Sequence, residues 1–122
     1  MGNFEQKIKI TSLDDKEFKR SVELSAHVDN GASFTQIPRK ILERLKIEPV
    51  YKKTFILADG THIERDIGLA FVKVLDEIAA CEVCFGEEND ATLLGNSAMQ
   101  LMGILIDPQN EKLIRRGYLL QY

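Results

Sequence analysis

The amino-acid sequence predicts a mainly β fold with one or two short helices, in a single domain spanning residues 1–122. Three observations support this prediction. Apolar and polar residues alternate with period two in several runs, most regularly over residues 21–28. Asn-Gly and Asp-Gly pairs, which favour tight turns, separate strand-like runs. Helical signals occur only in two short segments, and a chain of 122 residues suits one hydrophobic core.

The first half of the chain is expected to contain two longer strands, a short strand after the Asp29 loop, and a helix. Residues 3–10 predict a strand, because apolar side chains fall on one face and lysines on the other. Residues 21–28 predict the second strand, which leads directly to Asp29. Pro38 suits the first position of a helix over residues 38–46, which carries an apolar stripe.

The second half is expected to contain a hairpin, a further strand, a second helix and a final pair of strands. Asp59-Gly60 is the expected tip of the hairpin. Asn96 suits the N-cap of the helix, and Gly103 suits its end. The predicted strands are residues 51–58, 61–75, 80–85 and 104–114, the last interrupted by a turn at residues 107–110.

Charge and hydropathy limit the possible partners. The net charge is -3 and the pI is near 5.4, whereas nucleic-acid binding requires a clustered basic surface, so no nucleic-acid partner is expected. No apolar run is long enough to span a bilayer, and residues 1–10 lack the apolar stretch of a signal peptide. We therefore expect a cytoplasmic protein without a membrane partner.

The two cysteines, Cys81 and Cys84, are expected to be reduced thiols in or near the core. Residues three apart in a strand point to opposite faces, so this pair would neither chelate one metal nor form a disulfide easily. No other cysteine pair or histidine stands at zinc-ligand spacing. No metal site is therefore expected.

The segment AHVDNGASF, residues 26–34, has two possible interpretations. Asn30-Gly31 predicts a tight hairpin in which Asp29 would face Ala32. Alternatively, Asp29 is a functional group at the end of a strand, and the loop serves to present it. The local sequence permits both interpretations, and the order of later segments favours the second.

Three segments, in their order along the chain, resemble the retroviral-type (retropepsin-like) aspartic proteases, including small single-domain homologues in bacteria. VDNGAS at residues 28–33 resembles the family's Asp-Thr/Ser-Gly-Ala motif. FILADGTHIERDIG at residues 55–68 resembles its flap hairpin, and TLLGNSAMQLMG at residues 92–103 resembles its apolar-apolar-Gly segment and following helix. The resemblance extends over about residues 20–107 and implies a small, closed, β-barrel-like aspartic protease half-domain.

This resemblance implies an endopeptidase in which two carboxyl groups activate a water molecule and need no cofactor. Two carboxyl groups that hold one water molecule between them lie so close that both cannot ionise together, and they therefore share one proton. The chain contains one Asp-x-Gly-Ala, so the second Asp29 would come from a second copy in a homodimer. A peptide or protein substrate would bind in extended form as an added strand.

The resemblance also implies roles for individual residues. Asp29, Asn30 and Gly31 would form the catalytic loop, and Leu94-Gly95 would support that loop from behind. The terminal segments 3–10 and 117–122 would build the dimer interface. The residues expected to contact substrate are Ala32 and, at the flap tip, Leu57, Ala58, Asp59 and Gly60.

Asn30 departs from the family pattern. It stands where the family has Thr or Ser, whose hydroxyl bonds across the dimer axis. An asparagine side chain has a donor and an acceptor, but it is larger and has no hydroxyl. The alternative function is therefore a catalytically weak or inactive dimeric module of the same fold that binds or scaffolds peptides.

Overall fold

The structure, a computed structural model, describes residues 4–118 and 120, so most of the apolar tail at 118–122 lies outside the described residues. Nine strands and two short helices are present in this part of the chain. They are β1 (Glu5–Thr11), β2 (Val22–Asp29), β3 (Thr35–Pro38), α1 (Arg39–Arg44), β4 (Tyr51–Ile56), β5 (His62–Val74), β6 (Glu77–Gly86), β7 (Leu93–Gly95), α2 (Asn96–Leu101), β8 (Ile104–Asp107) and β9 (Lys112–Arg115).

Seven of the strands form one sheet that closes on itself. The order is β1-β2-β7-β3-β6-β5-β4, and an additional pairing between β1 and β5 completes a ring. Alternate side chains of the ring strands point inward, which is why the period-two pattern predicted them. The mainly β, barrel-like prediction is confirmed. The largest fully buried core side chains include Ile8, Ile10, Ile37, Leu42, Ile67, Phe85, Leu94 and Met102.

The turn at Asn30-Gly31 does not join two paired strands, so the hairpin interpretation is wrong. Strand β7 lies between β2 and β3: Asp29 is opposite Gly95 in a parallel pairing, and Gln36 is opposite Leu93 in an antiparallel one. The local turn itself forms, because the Ala32 N–H donates to the Asp29 carbonyl at 3.2 Å. Long-range pairing therefore decides which strands are neighbours.

The predicted hairpin at Asp59-Gly60 is present, with a longer connection than its turn signal indicates. Its last strand pair is Ile56 with His62, so residues 57–61 form the connection between β4 and β5. The Leu57 N–H donates to the Thr61 carbonyl at 2.8 Å, and Gly60 has a φ of 88°. This left-handed conformation suits glycine, which explains the position of the Asp-Gly pair.

An ion network joins the base of this hairpin to the rest of the fold. Arg39, which begins α1, donates to Asp66 on β5 at 2.6 Å and to Glu87 at 2.8 Å, and its guanidinium lies over the Phe85 ring. Lys52 on β4 donates to Asp66 at 2.8 Å. Hydrogen bonds from Lys52 and Arg39 lower the pKa of Asp66, and a hydrogen bond from Arg39 lowers the pKa of Glu87.

This network predicts a loss of stability in acid. A carboxyl group with a lowered pKa stabilises the fold fully above its unfolded pKa of about 4, and this contribution is lost as the pH falls through the folded pKa. We expect Asp66→Asn to lower the free energy of unfolding by about 1–2 kcal/mol at neutral pH and much less in acid. Urea unfolding at several pH values measures this difference. The exposed Asp14, paired with Arg20, provides the control Asp14→Asn. An equal effect of Asp66→Asn at every pH would contradict the prediction.

Candidate active site

Asp29 lies at the end of β2, with its side chain exposed at the start of a tight turn. The Gly31 N–H donates to the Asp29 Oδ1 at 2.9 Å. A Cβ atom at position 31 would lie 3.3 Å from the same oxygen, which is tighter than an ordinary contact. The glycine therefore lets the backbone approach the carboxylate and hold its orientation.

The start of α2 fixes the outer part of this loop. The Asn96 N–H donates to the Ala32 carbonyl at 2.8 Å. The Ser97 hydroxyl donates to the Ser33 carbonyl at 2.7 Å, and the Ser97 N–H donates to the same carbonyl at 3.2 Å. Three hydrogen bonds thus connect the loop after Asp29 to the helix that follows β7.

Gly95 lies directly behind the loop. This is the side from which Leu94-Gly95 was expected to support it. A Cβ atom at position 95 would lie 2.5 Å from both the carbonyl carbon and the oxygen of Phe34. The Gly95 N–H donates to the buried Thr35 Oγ1 at 3.0 Å. A side chain at this position would force the loop backbone away, so the close packing requires glycine.

A cleft of about 300 Å³ separates this loop from the β4–β5 hairpin. Phe34, just after the loop, contacts Phe55 of β4 edge-to-face, with ring centroids 5.6 Å apart. Gln36 and Arg65 supply polar groups to the lining, and Arg65 is paired with Asp90 at 3.3 Å. The large apolar residues that line the cleft are Phe34, Phe55, Ile56, Leu57, Ile63 and Leu93.

The structure brings only some of the predicted site residues to this cleft. Its lining includes Gly31, Ala32 and Leu57. Asn30 lies instead beside a second cavity, which it shares with residues of α2 and β8. The predicted residues that do not line the cleft are Asp29, at the start of the loop, and Ala58, Asp59 and Gly60, in the exposed connection of the hairpin.

The sequence interpretation missed most of the apolar lining. Phe34 and Phe55 come together only through the fold, because nothing in the sequence pairs these two segments. Ile63 and Arg65 had a usable signal, since residues two apart in a strand share a face. Their alternation on β5, followed towards the flap tip, indicates the face that lines the cleft.

Cys84 also lines the cleft, and both cysteines are free and buried, as expected. Burial raises the pKa of Cys84 to about 11 and the pKa of Cys81 to about 12. The Cys84 thiol donates to the Gln36 Oε1 at 3.6 Å. Both thiols are therefore neutral near pH 7, and the thiolate needed for nucleophilic attack is scarce.

The described part of the chain holds neither a metal-binding cluster nor a membrane-spanning helix. Residues 4–118 and 120 contain no cluster of three or more His, Cys, Asp or Glu side chains arranged to bind a metal ion. Neither helix described in this range has the length and apolar character needed to cross a membrane.

Comparison with known proteins identifies the fold through structure alone. No protein-family model matches the chain, and no curated protein matches it. The solution structure of the simian foamy virus (mac) protease is similar, with 24% identity and a TM-score of 0.56 over 80% of this chain and 92% of that chain. The EIAV protease complexed with the inhibitor HBY-793 has 19% identity and a TM-score of 0.59, over 80% of this chain and 86% of that one.

A third similar structure belongs to a much longer protein. The foamy viral protease-reverse transcriptase in complex with an RNA/DNA hybrid has 18% identity and a TM-score of 0.60. The match covers 82% of this chain but only 12% of that one. The expectation that nucleic acid is not a partner of this chain therefore stays a prediction.

These three likenesses establish the architecture of the chain. All three similar proteins are viral, so the expected resemblance to small bacterial homologues finds no support among them. The closed ring of strands is, however, the barrel-like arrangement expected from the sequence. The chain has the retropepsin-like fold of the retroviral proteases.

Proposed function

We propose that this protein is a homodimeric aspartic endopeptidase in which each copy contributes one Asp29. The observation that carries the proposal is the placement of this carboxylate. Asp29 is exposed, it is held by the Gly31 N–H, and it lies two residues from the wall of a cleft roofed by the β4–β5 hairpin. An exposed carboxylate next to a loop that lines an apolar groove is free to act on a bound chain and does not stabilise the core.

The chemistry requires two carboxyl groups on opposite sides of one water molecule. One Asp29 is ionised and takes a proton from the water molecule. The oxygen of that water attacks the carbonyl carbon of the peptide bond at the same time. The other Asp29, protonated, donates a proton to the carbonyl oxygen, and later proton transfer to the nitrogen lets the amine leave. A twofold axis brings the same residue from both copies to one point, so a dimer supplies this pair.

The cleft indicates how a substrate would bind. The hairpin strand β4 ends the order of the seven-stranded sheet, and its side chains are almost all exposed. An extended peptide beneath this hairpin would use main-chain hydrogen bonds for affinity and side-chain pockets for selectivity. The aromatic pair Phe34 and Phe55 and the neighbouring Ile63 favour a large apolar side chain in the pocket of each half-site.

One observation favours a second candidate function. Asn30 lies beside the cavity next to β8, where a residue joining two copies would stand, and it lacks the hydroxyl found in the family motif. If the amide holds the two loops about an ångström out of place, the rate of chemistry falls about a hundredfold. The protein would then be a dimeric module that binds peptides without cutting them efficiently.

Cleavage of a random peptide library between about pH 3 and pH 7 tests the proposed function, because a shared proton restricts activity to a limited pH range. We expect cuts beside large apolar residues with the wild-type protein and none with Asp29→Asn. Peptide binding without cleavage at any pH would favour the second candidate. Equal cleavage by both proteins would rule out Asp29 as the catalytic group.

Asn30→Thr tests the role of the departure from the family motif. Restoring a hydroxyl that can bond across the dimer axis is expected to raise kcat by about tenfold or more, with little change in KM. Steady-state kinetics on one peptide selected from the library measures both constants. Asn30→Ala, which removes the amide without adding a hydroxyl, is the control. No change or a decrease in kcat with Thr would show that Asn30 does not limit the enzyme.

A further inference from the structure

The face of the β4–β5 hairpin that covers the cleft changes from apolar to basic between its tip and its base. Phe55 of β4 is the direct cross-strand partner of Ile63 of β5, and Lys53 is the direct partner of Arg65. Residues two apart in a strand share a face, so these four side chains lie on one face of the hairpin. Phe55, Ile63 and Arg65 line the cleft, which identifies this face as the one that covers it.

Lys53 lies beside the cleft wall. Its Nζ is 5.8 Å from the centroid of the Phe34 ring and 5.3 Å from the centroid of the Tyr51 ring, and Phe34 belongs to the cleft lining. The lysine side chain is exposed. Within residues 4–118 and 120, no carboxylate lies within salt-bridge distance of this ammonium group. A positive charge is therefore available to a bound peptide at this point.

Arg65 supplies a second cation, and one carboxylate accompanies the pair. The Arg65 Nε donates to Asp90 at 3.3 Å, and its Nη1 donates to the Glu64 carbonyl at 3.0 Å. The same Asp90 oxygen also accepts the Glu87 N–H at 2.8 Å. Like charges that are direct cross-strand partners weaken a strand pair. A negatively charged group bound in the cleft would offset the repulsion between Lys53 and Arg65.

We propose, on the basis of the proposed function, that the cleft selects a peptide with an acidic side chain two residues from its large apolar side chain. An extended peptide and a β-strand have nearly the same rise per residue. When the apolar side chain lies beside Phe55, the side chain two residues along the peptide, towards the base of the hairpin, lies beside Lys53. A glutamate or aspartate there receives charge-assisted hydrogen bonds from Lys53 and Arg65, which are thus residues that determine specificity.

Binding to the Asp29→Asn protein tests this selectivity without cleavage of the probe. Peptides are first selected from a random library by their affinity for this protein. Fluorescein-labelled versions of one selected peptide then carry Glu, Gln or Lys at each position two residues from the apolar residue, and fluorescence anisotropy measures each dissociation constant. We expect the Glu peptide to bind about tenfold more tightly than the Gln peptide at one of these positions, and the Lys peptide to bind most weakly.

Charge reversal at position 53 keeps the test independent of folding defects. Lys53→Glu, made in the Asp29→Asn protein, should bind the Lys peptide more tightly than the Glu peptide, because an unfolded protein cannot gain a new preference. Lys73→Glu is the matched control. Lys73 is also a strand lysine opposite another cation, Lys9, and lies 5.6 Å from the centroid of an aromatic ring, but it does not line this cleft. This control should retain the preference for Glu.

The failure of this proposal is distinguishable from the failure of the proposed function. Equal affinity for the three peptides, or a preference for Glu that Lys53→Glu leaves unchanged, overturns the selectivity, even if the wild-type protein cuts peptides. A preference for Glu that Lys53→Glu reverses, with no cleavage by the wild-type protein, overturns only the endopeptidase. A protein that neither binds nor cuts any peptide of the library overturns both.

Discussion

Asp29→Asn is expected to abolish peptide cleavage, with a loss in kcat of at least about a thousandfold, while leaving the fold and the dimer intact. The amide can neither take a proton from water nor share one with the other copy. Asp29 is exposed at the end of β2, so its replacement does not disturb the core. The turn also keeps its hydrogen bond, because the side-chain amide oxygen of the new asparagine can accept the Gly31 N–H in place of the Asp29 carboxylate.

The measurement is kcat and KM on a selected peptide, with circular dichroism and sedimentation as controls. Asp59→Asn is the matched variant, because Asp59 is also exposed in a turn and accepts a backbone N–H, from Thr61 at 2.9 Å. This variant should lose less than about tenfold in kcat, since Asp59 lies in the connection of the hairpin, where it is expected to contact substrate without transferring a proton. Comparable losses in both variants would show that Asp29 has no special role in the chemistry.

Gly95→Ala is expected to lower the free energy of unfolding by about 3 kcal/mol or more and to impair cleavage at the same time. The added methyl group would lie 2.5 Å from the Phe34 carbonyl carbon and oxygen, a distance that real Cβ contacts essentially never reach. The backbone between Asp29 and Thr35 must move to relieve this clash, and overpacking of this kind is costly. The loop that carries the carboxylate is therefore displaced.

Urea unfolding and kcat together measure this effect. Gly86→Ala is the matched control, since Gly86 also ends a buried strand, but an added Cβ there would meet its nearest atoms, in Gln36 and Ile37, at 3.2 and 3.3 Å. We expect a smaller loss of stability and nearly normal kcat for the control. A stable Gly95→Ala protein with wild-type kcat would show that the loop does not depend on this close packing.

The parts of the fold that were predicted are those encoded over short distances. The alternation of residues 21–28 predicted β2 and its arrival at Asp29. The Asp59-Gly60 signal predicted the hairpin, and the strand–turn–strand over residues 104–114 is present as β8 and β9. In each case the pattern, the turn residues and the pairing partner lie close together in the sequence.

The parts that were missed depend on long-range pairing or on an unusual turn. Strand β7 has only three residues, too few for any periodicity, yet it separates β2 from β3. Strand β6 begins before the predicted residue 80, because Leu75 and Asp76 form a tight turn with φ values of 51° and 68°. Neither is glycine, so the usual sign of a left-handed turn was absent.

The candidate site, like the fold, was predicted only where a local motif encodes it. Asp29, Gly31 and Ala32 follow from one motif, and the structure places them together at the turn and the adjacent cleft wall. The contact between Phe34 and Phe55 arises only when the hairpin folds over the loop, so no local pattern reports it.

The central claim is that one active site is built from two copies of Asp29, and subunit mixing tests it most directly. Wild-type protein is mixed with Asp29→Asn at constant total concentration, above the dissociation constant, and allowed to exchange. If both carboxylates are required, activity follows the square of the wild-type fraction and falls to about one quarter in an equal mixture. If each chain cuts peptides alone, activity follows the fraction itself and falls to about one half, which would contradict the shared site.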